Sequence, residues 1–188
     1  MLRRLITRFT EPLKPAIDRI TGNPTVQRYF PALADPDLWH LNRRSTARAV
    51  AVGLFCGLIP GPLQALGAIV LCLMVRANFP VSVISTLYTN PLTIVPLYVV
   101  AYEYGRLFFP EAAPSVAWSL PAHAGLIEWM PAMWAWMMQL GKPLALGLVL
   151  LALTLAAVGW VSVRVAWRCH AVWAWRRRAR LRAAVVRG

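Results

Sequence analysis

Two uncharged runs separated by a single arginine limit this chain to few folds. From Ala49 to Tyr102 there are 54 residues and one charge, Arg76. Each run, Ala49–Val75 and Ala77–Tyr102, is long enough to cross a bilayer, which takes about 20 apolar residues as a helix. Each is also interrupted by residues that an ordinary spanning helix avoids. The first carries Gly57-Leu58-Ile59-Pro60-Gly61-Pro62, the second Thr89-Asn90-Pro91 and then Pro96. Proline removes an N–H and glycine admits φ > 0, so structural breaks are expected at Gly57, Pro60, Gly61 and Pro62, and at Pro91 and Pro96. Backbone groups freed at membrane depth must meet protein or water, never lipid. The two breaks are therefore expected to face each other. The half-helix ending at Ile59 rises only ~20 Å, short of a ~30 Å hydrocarbon core, which suits a re-entrant hairpin.

The charge distribution agrees. The 188 residues are 59% apolar and carry a net charge of +13. Nine of the 20 Lys and Arg fall in residues 3–48 and eight in 164–188. Basic ends around an apolar middle are cytoplasmic flanks of a membrane domain, not a nucleic-acid surface. Cys56, Cys72 and Cys169 form no CxxC pair. His40, His123 and His170 have no ligand neighbours at metal spacing. No disulfide framework, metal or cofactor is expected. Met1–Phe9 has no apolar core segment, so no cleavable signal peptide is expected either.

Taken in order, residues 1–44 form a cytoplasmic basic amphipathic segment, with Leu2, Leu5, Ile6, Phe9, Leu13, Ile17 and Ile20 at helical spacing. That pattern suits a helix in the headgroup layer. Residues 45–165 form the membrane domain: 45–76 broken or re-entrant, 77–106 a broken helix, 107–142 a periplasmic loop and Trp-rich interfacial helix, 143–165 a spanning helix. Ser45 is the expected N-cap of the first helix. Ala49, Gly53 and Gly57 make a small-residue stripe that lets a partner helix approach closely. Glu103 is expected to pair with Arg106. Pro143–Val163 contributes 21 uncharged residues, enough to span. Residues 166–188 form a cytoplasmic Arg-rich tail, in which Arg176, Arg177 and Arg178 are candidates for contact with anionic lipid headgroups. The fold class expected is all-α. It is a small polytopic membrane protein with two Gly/Pro-broken helical hairpins, one plain spanning helix and an interfacial N-terminal helix. Both termini are cytoplasmic, with two crossings plus a hairpin, or four crossings if 120–141 also spans.

Several stretches resemble the bacterial family called domain of unknown function 2062. They are Ala49 to Pro60 followed by Gln64, Arg76-Ala77-Asn78-Phe79-Pro80, Thr89-Asn90-Pro91-Leu92-Thr93, Pro96-Leu97-Tyr98 and Gly105. The resemblance covers roughly residues 40–165. It implies a small inner-membrane protein of a family sometimes joined to a glycosyltransferase domain, and it supplies no activity and no catalytic residue. A looser likeness of architecture links the chain to membrane families whose facing re-entrant hairpins move lipid-linked phosphates, an analogy of fold alone.

Two interrupted hydrophobic segments in matching positions point to a transport site. The half-helix N-termini at Pro62-Leu63-Gln64 and Pro91-Leu92-Thr93 attract anions. Gln64, Thr89, Asn90 and Thr93 add hydrogen bonds at depth, and Arg48, Arg76 and Arg106 meet a phosphate near the surface. The alternative is that Pro and Gly only shape a compact bundle and Asn90 only caps a helix. The function expected is a carrier or scramblase for an anionic or lipid-linked phosphate substrate. The other reading is a non-catalytic adaptor in envelope glycan or lipid assembly. Partners would be anionic membrane lipids, an envelope-biogenesis protein and a second copy of the chain. No paired carboxylates, Ser/His/Asp set or His/Cys cluster lies at usable spacing, so no enzyme activity is expected.

Overall fold

The computed structural model describes residues 41–61, 63–90, 92–113 and 126–187, with a few positions between 15 and 39. The amphipathic pattern of residues 1–20 lies almost wholly outside them, as do Pro62 and Pro91. Among the described residues all regular structure is helical: α1 Arg43–Cys56, α2 Leu63–Val75, α3 Phe79–Thr86, α4 Ile94–Arg106 and α5 Leu126–Arg187.

Local chemistry sets each boundary. Asn42, in extended backbone, caps α1, its side-chain carbonyl accepting from the Ser45 N–H at 2.7 Å. The cap expected at Ser45 is corrected to Asn42: Ser45 lies inside α1, and its own amide is the one Asn42 caps. α1 stops at Cys56, and the chain turns through Gly61 at φ 72. α2 ends in a left-handed cap: Arg76 has φ 50, and the Ala77 N–H donates to the Cys72 carbonyl at 3.0 Å. That six-to-one bond is the Schellman pattern. Asn78 then caps α3, accepting from the Val81 N–H at 3.1 Å.

The second break is longer than the sequence suggests. α3 ends at Thr86 and α4 begins at Ile94 rather than at Pro91. Asn90 bridges the gap: its side-chain oxygen accepts from the Leu92 and Thr93 amides at 2.9 and 3.0 Å, and its carbonyl from Ile94 at 2.9 Å. Pro96, expected as a break, is corrected: it lies in the first turn of α4, where no intrahelical N–H is needed. In α5 the break is at Gly141 (φ 57, ψ −141), which separates the Trp-rich portion from one helix running to Arg187.

These elements stack around α1, which packs on α2, α3 and α5, while α4 packs on α5. One end is fixed by Arg48 Nη1 donating to the Val75 carbonyl at 2.9 Å and by the Asn78 N–H reaching the Ser45 carbonyl at 3.4 Å. So α1 starts where α2 finishes and α3 starts. At the far end α4 crosses α5 at Gly105 and Gly147, where a Cβ on either would strike the other helix's backbone carbonyl. The small-residue stripe of α1 faces α3: a Cβ on Gly53 would meet the Ser82 carbonyl. Outward, α2 presents Leu63, Leu66, Val70 and Met74, all more than half exposed.

The crossing makes a prediction. Gly147→Val must push α4 off α5, because its clash is with the Ala101 carbonyl rather than with a pliable side chain. It should cost about 3 kcal/mol, read from thermal unfolding in detergent. A melting curve like the wild type would show that the helices do not approach this closely.

Candidate functional site

The first break strands carbonyls at the end of α1. Leu58 O would ordinarily accept from the N–H of residue 62, but residue 62 is proline. In its place the Tyr98 hydroxyl, fully buried, donates to Leu58 O at 2.7 Å. The Thr89 hydroxyl donates to Gly57 O at 2.7 Å, and the Tyr88 hydroxyl to Leu54 O at 2.8 Å. Three hydroxyls of the second run thus cap three carbonyls of the first. Gly57 makes the approach possible, because any Cβ there would overlap the Tyr88 ring.

The expected site residues divide into two groups. Gln64, Thr89, Asn90 and Thr93 gather at the breaks. Gln64 Oε1 lies 3.2 Å from Thr89 Oγ1. The single Thr89 proton serves Gly57, so the Gln64 amide satisfies that contact when turned to donate from Nε2. Asn90 is committed to local amides, and the Thr93 hydroxyl donates to the Tyr88 carbonyl at 2.7 Å. Thr89, Asn90 and Thr93 hold the backbone together, and Gln64 bonds to Thr89. Arg48 and Arg76 lie elsewhere, at the common end of α1 and α2. Arg48 is nine residues from Gly57, about 13 Å along a helix.

At that end they line an open cavity of about 750 Å³ with Arg43, Arg44 and Arg164. Arg164 lies over the Trp160 ring at 4.3 Å, and Trp160 also lines the cavity. Sequence reasoning used Arg43, Arg44 and Arg164 as topology signals and missed their convergence, since 116 residues separate Arg48 from Arg164. It also missed Tyr88 and Tyr98. A tally of the N–H groups lost at Pro60 and Pro62 against nearby hydroxyls would have pointed to them. The pairing expected at Glu103 is present, Arg106 Nη1 lying 2.7 Å from Glu103 Oε2. No group of three His, Cys, Asp or Glu capable of holding a metal occurs among the described residues.

The class this defines is, among the described residues, all-helical, with one stretch of α5, Pro131–Arg178, long and apolar enough to cross a membrane. The chain belongs to the family described as "Uncharacterized protein conserved in bacteria (DUF2062)", whose model matches residues 27–176. No curated protein and no solved structure matches it.

Removing one bridging hydroxyl should be felt. Tyr98→Phe leaves Leu58 O buried and unpaired, and should lower stability by about 1–2 kcal/mol. Thr89→Val should do the same at Gly57 O, while Tyr104→Phe, outside the joint, should be neutral. Chemical denaturation followed by tryptophan fluorescence measures all three.

Proposed function

We propose that this is an integral inner-membrane protein that carries an anionic or lipid-linked phosphate substrate along the seam between α1 and α3. The observation that carries this reading is the polarity of the seam. The buried polar side chains among the described residues are Ser45, Thr46, Asn78, Ser82, Thr86 and Thr89. Asn78, Ser82, Thr86 and Thr89 recur at helical spacing, and the row ends with Thr89 on the Gly57 carbonyl beyond α1. Thr46 Oγ1 and Asn78 Nδ2 have no hydrogen-bond partner. Buried polar atoms left unpaired cost free energy and call for a functional reason. The polar row leads from the arginine cavity, where Ser45 is a wall residue, to Thr89 at the break.

Membrane insertion is supported by what α5 and α2 leave uncovered. The most apolar stretch of α5 has a mean hydropathy of 2.4, yet only 28% of it is buried. A core helix of a water-soluble protein would be mostly covered; a lipid-facing one need not be. In this reading the α1–α2 hairpin enters and leaves by the cytoplasmic face, where the arginines gather. The run from α3 through α4 crosses outward and α5 returns. Lipid and substrate pass when the hairpin parts from α3 and exposes the seam.

The tail favours a second reading, the adaptor in envelope assembly. On an upright α5, Arg176, Arg177 and Arg178 stand ~20 Å beyond Val163, past a headgroup layer of ~5–8 Å. Arg164 and Arg168 then sit at headgroup depth. The exposed Trp173 and Trp175, with Arg177 over Trp173 at 5.8 Å, support the reading of a protein partner there.

Liposomes separate the two readings. Protein-loaded vesicles should speed transbilayer movement of fluorescent phosphatidylglycerol over empty ones, and Thr46→Val with Ser82→Ala should slow it about tenfold. Equal rates in empty and loaded vesicles reject the carrier. A stoichiometric partner retained in mild detergent would then favour the adaptor.

A further inference from the structure

We infer that the arginine-lined cavity is a receptor for a phosphate group, and that Arg76 occupies a strained helix cap to complete it. Arg43, Arg44, Arg48, Arg76 and Arg164 all line this cavity, and none of its described wall residues is acidic. Like charges gathered this way repel one another. A phosphate among them relieves the repulsion and accepts charge-assisted hydrogen bonds, for which the planar guanidinium fork is well shaped. The Arg48 and Arg164 forks are held before any ligand arrives. Arg48 is tied to the Val75 carbonyl at 2.9 Å, and Arg164 rests on Trp160 at 4.3 Å. Side chains fixed before binding lose less entropy on binding. The start of α1 adds to the field, because its first intrahelical bond is made by Thr46, leaving the Arg43 and Arg44 amides ahead of it.

Arg76 is the independent observation. Among the described non-glycine residues it alone has a positive φ, 50°. It sits just past the end of α2, where glycine is the ordinary cap because a Cβ strains the left-handed conformation. A cap selected for stability would be glycine. Arginine sacrifices some of that stability and brings one more guanidinium into the cavity.

The chemistry suits a free phosphate ion and the phosphate of a lipid headgroup alike, with Trp160 at headgroup depth in the second case. The inference rests on the proposed membrane placement only for the lipid source. Its test is equilibrium binding, which needs no transbilayer movement. The full chain in neutral detergent is titrated with inorganic phosphate by calorimetry, and with phosphatidic acid against phosphatidylcholine by native mass spectrometry.

Saturable binding is expected in at least one arm, weakened about tenfold or more by Arg48→Gln and by Arg76→Gly, and unchanged by Lys142→Gln. Binding of inorganic phosphate names the free ion; binding of phosphatidic acid alone names the headgroup. Arg76→Gly should melt no lower than the wild type, and up to about 4 °C higher, so its lost affinity is not unfolding. Binding by a protein that moves no lipid supports the receptor and removes only the carrier. No binding in either arm, or an Arg76→Gly affinity equal to that of Lys142→Gln, overturns the inference.

Discussion

Three hydroxyl-to-carbonyl hydrogen bonds, from Tyr88, Thr89 and Tyr98 to the Leu54, Gly57 and Leu58 carbonyls at and just past the end of α1, are the constraint on which the rest of the structure depends. A helix that stops inside an apolar environment exposes acceptors that water cannot reach, each costing several kcal/mol in hydrocarbon. The donors are themselves hard to bury alone. Each break is tolerable because it faces the other. The arrangement explains why α1 needs glycines toward α3, since the hydroxyls reach the carbonyls only when the backbones nearly touch. It also explains why both cores meet near the joint, with Leu58 belonging to one and Cys56 to the other.

The joint and the arginine cavity are different devices at different heights. The joint is saturated: its polar groups bond one another, and little is left to bind a ligand. At the cavity, guanidinium groups converge around open space. Between them α3 packs against α1, with Thr46 Oγ1 of α1 and Nδ2 of the α3 cap Asn78 unmatched. The path of the proposed carrier would run between these two ends.

Much of this was legible in the sequence. The proline and glycine positions gave the interruption between α1 and α2, and the Ala49, Gly53, Gly57 spacing gave the close-packed face. Three features were not legible. Pro96 looked like a break because proline usually is one, but its effect depends on where the helix begins, and Asn90 delayed that to Ile94. Arg164 joins Arg48 through a contact across 116 residues, which no local pattern encodes. The roles of Tyr88 and Tyr98 depend on three-dimensional donor and acceptor matching. Polarity at the breaks suggested ligand binding, whereas most of it is spent on the backbone.

Chemical cross-linking across the breaks tests this account most directly. With Cys56, Cys72 and Cys169 replaced by alanine, Gln64→Cys and Thr89→Cys are introduced together and treated in native membranes with a short bis-methanethiosulfonate reagent. The account predicts an efficient intramolecular cross-link for this pair and none for Gln64→Cys with Phe109→Cys, just past the far end of α4. A failure of the first pair to cross-link while both thiols react with a small reagent would contradict it.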